Sequence, residues 1–182
     1  MPSLSSCFFF VEGDFKTRNK WRYLATLLIF GVISEAPFDM FTTSEYFNIN
    51  WNNIMFTLGL VLITIWVIDT LKVKMESLPL PAWFLVSFAI VAVSCLIAMN
   101  LSLDYEHHAI LVGYFFYIFH ERELLSIPFN FASMYKEPWA LLGFGLVLTY
   151  NGKRGRQSKP VNYLFYPVHL LILGLIRMKL GV

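Results

Sequence analysis

Long apolar runs separated by short polar turns dominate the chain. A helix crossing a lipid bilayer needs about 20 predominantly apolar residues, with about 17 as a floor. Trp51 to Ile68 and Ala82 to Met99 meet that length without interruption. Trp21 to Phe41 meets it with polar residues in its second half, and Tyr163 to Met178 meets it with His169 inside. Between His107 and Tyr150 the apolar pieces are shorter: Ala109 to Phe119, Leu124 to Tyr135 and Trp139 to Tyr150. Leu4 to Val11 is apolar, too short to span, and reads as the tail of a helix.

Composition agrees with that pattern. Hydrophobic residues make up 57% of the chain and charged ones 14%, a balance that excludes an ordinary soluble domain. Trp21, Trp51, Trp66, Trp83, Trp139 and Tyr150 sit near the ends of apolar runs, where aromatic rings favour the headgroup boundary. The net charge of +2 gives no reason to expect a nucleic-acid partner; the partner implied is membrane lipid. Two cysteines, Cys7 and Cys95, lie in apolar stretches and build neither a disulfide framework nor a zinc site.

Loop charge supplies orientation. Lys16, Arg18, Lys20 and Arg22 crowd one turn, Lys72 and Lys74 another, and Lys153, Arg154, Arg156 and Lys159 a third. The turns Thr42 to Asn50 and Asn100 to Glu106 carry no Lys or Arg, so the three basic turns are expected on the cytoplasmic side. For Lys74 and Lys153 to share that side, the chain between them crosses an even number of times, and Leu124 to Tyr135 must cross despite Pro128. The expected fold is therefore all-α: a polytopic transmembrane helical bundle of about seven crossings plus an amino-terminal helix stub, in one domain spanning residues 1–182.

Ionisable groups within apolar segments are costly unless they have a partner or a task. In Ser34-Glu35-Ala36-Pro37-Phe38-Asp39 the two carboxylates are four residues apart and share a helix face. They read either as a proton-handling pair near the non-cytoplasmic side or as the end of a helix that stops at Ala36 and leaves Asp39 in water. Asn53 and Thr57 are one turn apart at the mouth of their helix, and Thr57 is as well suited to bonding back to its own backbone. Asp104 with His107 or His108 has the spacing of a metal half-site, but an interfacial turn explains the cluster better, and no metal is expected. Gly152 and Gly155 flank Lys153 and Arg154, which suits backbone approach to a phosphate as well as an ordinary Asn151-Gly152 turn.

The ordered set Val11-Glu12-Gly13, Thr17-Arg18-Asn19, Ser34 to Asp39, Asn53 to Leu58, Asp104-Tyr105, Tyr150 to Gly155 and Tyr166-Pro167-Val168-His169-Leu170 resembles the TraX family of integral membrane proteins, from about residue 8 to the carboxyl terminus. The resemblance implies a multi-pass protein of the bacterial cytoplasmic membrane, similar to transmembrane acyltransferases that use acyl-CoA donors. The family's named member acetylates the amino terminus of F-type conjugative pilin. Acetyl-CoA is then the implied donor, and the acceptor is a pilin-type amino terminus or an envelope molecule.

By the same resemblance Lys153, Arg154, Asn151 and Arg18 become candidates for the donor's phosphates. His169 and Glu35 become candidates for catalysis, and Asn53, Thr57, Asp39, Asp104 and Tyr105 for holding the acceptor. The family also implies a preceding helix with an Asp-His pair that this sequence does not contain, so loss of stability or of activity is expected of the chain as it stands. The other functional class is a non-enzymatic transporter component or assembly partner. A transporter would show paired interrupted helices in two related halves, and no such internal repeat is present.

Overall fold

The computed structural model describes residues 3–46, 48, 51–120, 122–134, 143, 145, 147, 149 and 159–180. Its elements are α1 (Ser3–Lys16), α2 (Lys20–Thr42), α3 (Ile54–Lys74), α4 (Leu80–Asn100), α5 (Glu106–Ile118), α6 (Glu123–Ser133) and α7 (Lys159–Leu180). Among the described residues there is no strand; one isolated bridge pairs Asn52 with Leu103. The all-α expectation holds.

Local chemistry sets several of the boundaries. Asn19 caps α2 by accepting the Arg22 N–H at 2.9 Å. Asn53 caps α3 by accepting the Met55 N–H at 2.9 Å, so this helix starts later than its apolar run. Lys72 and Lys74 fall in the last turn of α3, where cations oppose the negative end of the helix dipole. Pro81 lies in the first turn of α4, a position that lacks an intrahelical donor in any case. Tyr105 precedes α5 in the left-handed region at φ 61°, which turns the chain sharply from α4 into α5. Contrary to the alternative in which α2 stops at Ala36, the helix runs through Pro37 to Thr42, and Asp39 is fully buried.

Among the described residues four helices are long and apolar enough to cross a membrane: α2, α3, α4 and the Tyr163–Leu180 part of α7. The 21 residues of α3 rise about 31 Å, which matches the hydrocarbon core. Helices α5 and α6, with 13 and 11 residues, rise only about 20 and 16 Å. They pack as an antiparallel pair, because the His108 ring at the start of α5 meets the Ser133 carbonyl at the end of α6, 2.5 Å away. The described part of the Leu124 to Tyr135 segment thus runs back along α5 and is shorter than the full crossing expected of it. Trp139 to Tyr150, expected as a further crossing, lies largely outside the described residues.

Helix α3 is the most enclosed of the long helices and packs on α1, α2, α4 and α5. Leu58, Val61, Leu62, Ile65 and Ile68 form its buried centre. Glycine lets α5 come close, since a Cβ on Gly113 would lie 2.4 Å from Val61 Cγ1. On α4 Leu85, Phe88, Val93 and Leu96 are all more than half exposed, as befits a surface against lipid. Its inward face buries Trp83, Val91 and Ala98 and carries two serines: Ser87 bonds the Tyr114 hydroxyl and Ser94 receives the Thr64 hydroxyl, each at 2.8 Å. Short side chains joined by hydrogen bonds are how helices associate where no water drives them together.

Helices α2 and α7 run parallel. Phe30 stacks on Tyr163 at 5.0 Å, Gly174 packs against the Met40 and Phe41 backbone, and Arg177 donates to the Phe41 and Thr42 carbonyls at the end of α2. The starts of α2 and α7 therefore share one end of the bundle. The end of α3 joins them there, because Lys20 lies 3.5 Å from Asp69. This basic end is the one predicted to be cytoplasmic, and Asn53, Asp104 and the end of α2 form the opposite end.

Candidate functional site

Polar side chains are buried at both ends of the bundle. At the end away from the basic turns, α2 and α3 meet through Glu35 and Asn53. The Asn53 side-chain amide donates to the Gly31 carbonyl at 2.8 Å and to Glu35 Oε2, and the Asn53 backbone N–H reaches the same carboxylate oxygen at 3.4 Å. One side chain therefore caps its own helix and ties down a carboxylate from the neighbouring helix. Gly31 matters here because its missing Cβ leaves room for Met55 and Phe56, which brings α3 close.

One turn further along α2, Asp39 Oδ2 accepts the Asn48 N–H at 2.8 Å, while Oδ1 meets no donor among the described residues. Thr57 does not bond back to its own helix; its hydroxyl donates to the Asp104 carbonyl at 2.7 Å and fastens the turn before α5 to α3. The same turn is held by Asp104 N–H to the Asn52 carbonyl at 2.9 Å. Tyr166 reaches into this region from α7, with its hydroxyl against the Ile54 N–H and near both Asp104 and Glu35. Of the sequence-predicted residues, Glu35, Asn53, Asp39, Thr57 and Asp104 thus gather at one end, and Tyr105 sits beside them at the head of α5.

His169 is on the same helix as Tyr166 but turns differently. It is half-buried, its Nδ1 lies 3.2 Å from the Phe165 carbonyl of its own helix, and its ring stacks on Phe165. Its ring is 5.9 Å from that of Tyr166, edge to face. Arg18 is exposed on the turn between α1 and α2. Asn151, Lys153 and Arg154 lie outside the described residues. The His107 and His108 rings are side by side at 4.1 Å, with His108 committed to Ser133.

The basic end carries a second cluster. Asp14, almost fully buried, accepts the Trp66 indole N–H at 2.7 Å and pairs with Lys20 at 2.9 Å. Asp69 joins Lys20 and accepts the Tyr117 hydroxyl at 2.5 Å. Glu12 is bridged by Lys16 at 2.8 Å on one oxygen and by His120 Nε2 at 2.7 Å on the other; the histidine contact is close but off the hydrogen-bond axis. Phe15 packs its ring on His120 at 4.0 Å and on Tyr117 at 6.0 Å. Residues from α1, α2, α3 and the end of α5 thereby form one ionic and aromatic network.

Sequence reasoning missed Tyr166 and most of this basic-end network. Glu12, Asp14, Asp69 and His120 sit at the margins of apolar runs, where charged residues are cheap and the default reading is solvation. The available signal was the unusual density of both charge signs between Glu12 and Lys20 beside an apolar helix.

The bundle, with lipid-length helices and polar groups enclosed at both ends, is that of a polytopic helical membrane protein. The sequence model of one family, described as TraX protein, matches residues 5–177, and the chain belongs to the TraX family. It is similar to a probable fimbrial assembly protein FimC, serogroup H1, of Dichelobacter nodosus, with 28% identity over 196 residues that cover 96% of this chain and 79% of the relative. No solved structure matches the chain.

Proposed function

We propose that this protein acts in pilus or fimbrial assembly as a multi-pass acyltransferase of the bacterial cytoplasmic membrane. It moves an acetyl group from acetyl-CoA to an amine or hydroxyl acceptor, either a pilin-type amino terminus or an envelope molecule. Family membership over nearly the whole chain and the fimbrial relative support the process. The observation that carries the chemistry is the enclosed polar interior. Asp39, Asn53 and Thr57 are fully buried in a bundle of lipid length, where unsatisfied polar groups cost several kcal/mol each, roughly, and persist only with partners or a task.

In this reading the donor approaches from the basic end, where Arg18 is exposed and the turn with Asn151, Lys153 and Arg154 supplies charge-assisted contacts to its phosphates. Asn53, Thr57, Asp39, Asp104 and Tyr105, joined by Tyr166, shape the acceptor side. The acceptor's nitrogen or oxygen attacks the thioester carbonyl carbon, the carbon–sulfur bond breaks, and CoA leaves as the thiol. A base must take the acceptor's proton, and Glu35 and His169 are the candidates the family pattern offers.

The test is transfer of labelled acetyl from acetyl-CoA to a synthetic apolar peptide with a free amino terminus, by the purified full chain in nanodiscs. Turnover that depends on the peptide is expected. A Lys153→Gln, Arg154→Gln pair should keep the fold, since Arg156 and Lys159 remain, and weaken CoA binding by about 2 to 4 kcal/mol. Unchanged CoA affinity by calorimetry would return these two residues to a purely topological role.

A further inference from the structure

We infer that His120, oriented by Glu12, is the proton acceptor of acyl transfer at the basic end of the bundle. The inference rests on the acyltransferase reading above and moves its proton step, and with it the acceptor's reacting amine, to the basic end. Three observations support it. First, His120 Nε2 lies 2.7 Å from Glu12 Oε1, and the Glu12 side chain is only 8% exposed while that of His120 is 36% exposed. A base held from behind by a buried carboxylate and open in front is the arrangement that general-base chemistry needs. The off-axis contact suits a site that tightens when substrate binds.

Second, the carboxylate is itself held in place. Glu12 Oε2 pairs with Lys16 at 2.8 Å, a contact that fixes the orientation of the carboxylate facing His120. Behind it, Asp14, Trp66, Lys20, Asp69 and Tyr117 lock the ends of α1, α2, α3 and α5 together, and Phe15 covers one face of the imidazole at 4.0 Å. Third, this end carries the exposed Arg18 and the Lys72–Lys74 turn, where a phosphate-bearing donor meets positive charge. At the opposite end, Glu35 is bound by Asn53 and His169 faces its own helix, so neither is comparably free to receive a proton.

Once the contact tightens so that Nε2–H points at Glu12, Nδ1 holds the lone pair. As the acceptor amine attacks the thioester carbonyl, the nitrogen–carbon bond forms and the amine proton passes to Nδ1. The carbon–sulfur bond then breaks, and the imidazolium returns that proton to the leaving thiolate, which departs as CoA thiol. Glu12 takes up no proton in the scheme, no electron is exchanged with an outside reagent, and histidine ends as it began. Glu12 is a positioning residue in this scheme and His120 a catalytic one.

The experiment uses the full chain in nanodiscs, labelled acetyl-CoA and the same free-amine peptide, with His120→Asn, Glu12→Gln and Glu35→Gln compared with the parent. His120→Asn should lower kcat about 100-fold or more while acetyl-CoA Kd and Tm stay unchanged, and added imidazole should restore turnover about tenfold. Glu12→Gln should lower kcat about tenfold. Turnover that survives His120→Asn but is abolished by Glu35→Gln places the proton step at the other end and overturns the proposal alone. A loss in His120→Asn that imidazole does not restore, or that comes with lost CoA binding or Tm, also overturns it. No transfer by the parent chain to amine or hydroxyl probes takes down the acyltransferase reading itself.

Discussion

The two ends of the bundle solve the same problem by different means. Both bury carboxylates between helices. At the far end Glu35 and Asp39 are held by neutral donors, namely the Asn53 amide and the backbone N–H groups of Asn53 and Asn48. At the basic end Glu12, Asp14 and Asp69 are held by Lys16, Lys20 and His120, with an indole and a phenol filling the remaining acceptor positions. Neutral donors fix geometry through direction, whereas cations fix it through charge and tolerate poorer angles. The far end is therefore suited to holding a rigid shape, and the basic end to adapting when another charged molecule arrives.

Salt should distinguish them first. Asp14→Leu removes the nearer of the two carboxylates paired with Lys20 and the acceptor of the Trp66 indole, and because Lys20 is partly exposed and keeps Asp69, the expected loss is about 3 kcal/mol. Thermal unfolding in detergent checks it, and the deficit should shrink in high salt as the parent's ionic network is screened. A salt-independent deficit would mean that the indole bond, not the charge pair, holds this end.

Asn53→Ala is expected to cost about 2 kcal/mol, combining a lost helix cap with a stranded Glu35 carboxylate. Unlike the Asp14 change, this loss should be nearly the same at low and high salt. A smaller step is expected from Thr57→Val, about 1 kcal/mol, since only the bond to the Asp104 carbonyl goes. Its signature is local: hydrogen exchange should quicken at the head of α5 and not around His120.

The smallest effect is assigned to Lys16→Met. Lys16 is 42% exposed and pairs with Glu12 one turn away in its own helix, so stability should fall by only about 0.4 kcal/mol. If this change instead lowered Tm as far as Asp14→Leu does, the basic end would be a single cooperative unit and the contrast between adaptable and rigid ends would fail.

Much of the far end was legible from residue spacing. Glu35 and Asp39, four apart on α2, and Asn53 and Thr57, at the head of α3, all lie at this end, and Asn53 bonds Glu35 directly. What spacing could not show was partner choice. Thr57 had a ready acceptor in its own helix and instead bonds the Asp104 carbonyl, because the turn between α4 and α5 delivers that carbonyl within 2.7 Å. Pro37 looked like a helix end, yet packing of α2 along α7 carries the helix past it. His169 stood out as an ionisable group in an apolar run, but the rotation of α7 sends Tyr166 to the α3 cap and leaves His169 on its own backbone.

Length and composition of the apolar runs alone determined that the chain is helical and of membrane type, because lipid permits only backbones that satisfy their own hydrogen bonds. Charge in the turns determined which helix ends face together, and the structure places the starts of α2 and α7 with the end of α3 accordingly. Only tertiary structure decided which polar residues meet: Glu12 with His120 is a contact across more than a hundred residues, and Asp14 with Trp66 crosses about fifty. Such pairings depend on how each helix is rotated about its axis. That rotation is set by small contacts such as Gly113 on Val61, where a single Cβ would clash, and these cannot be read from one strand of sequence.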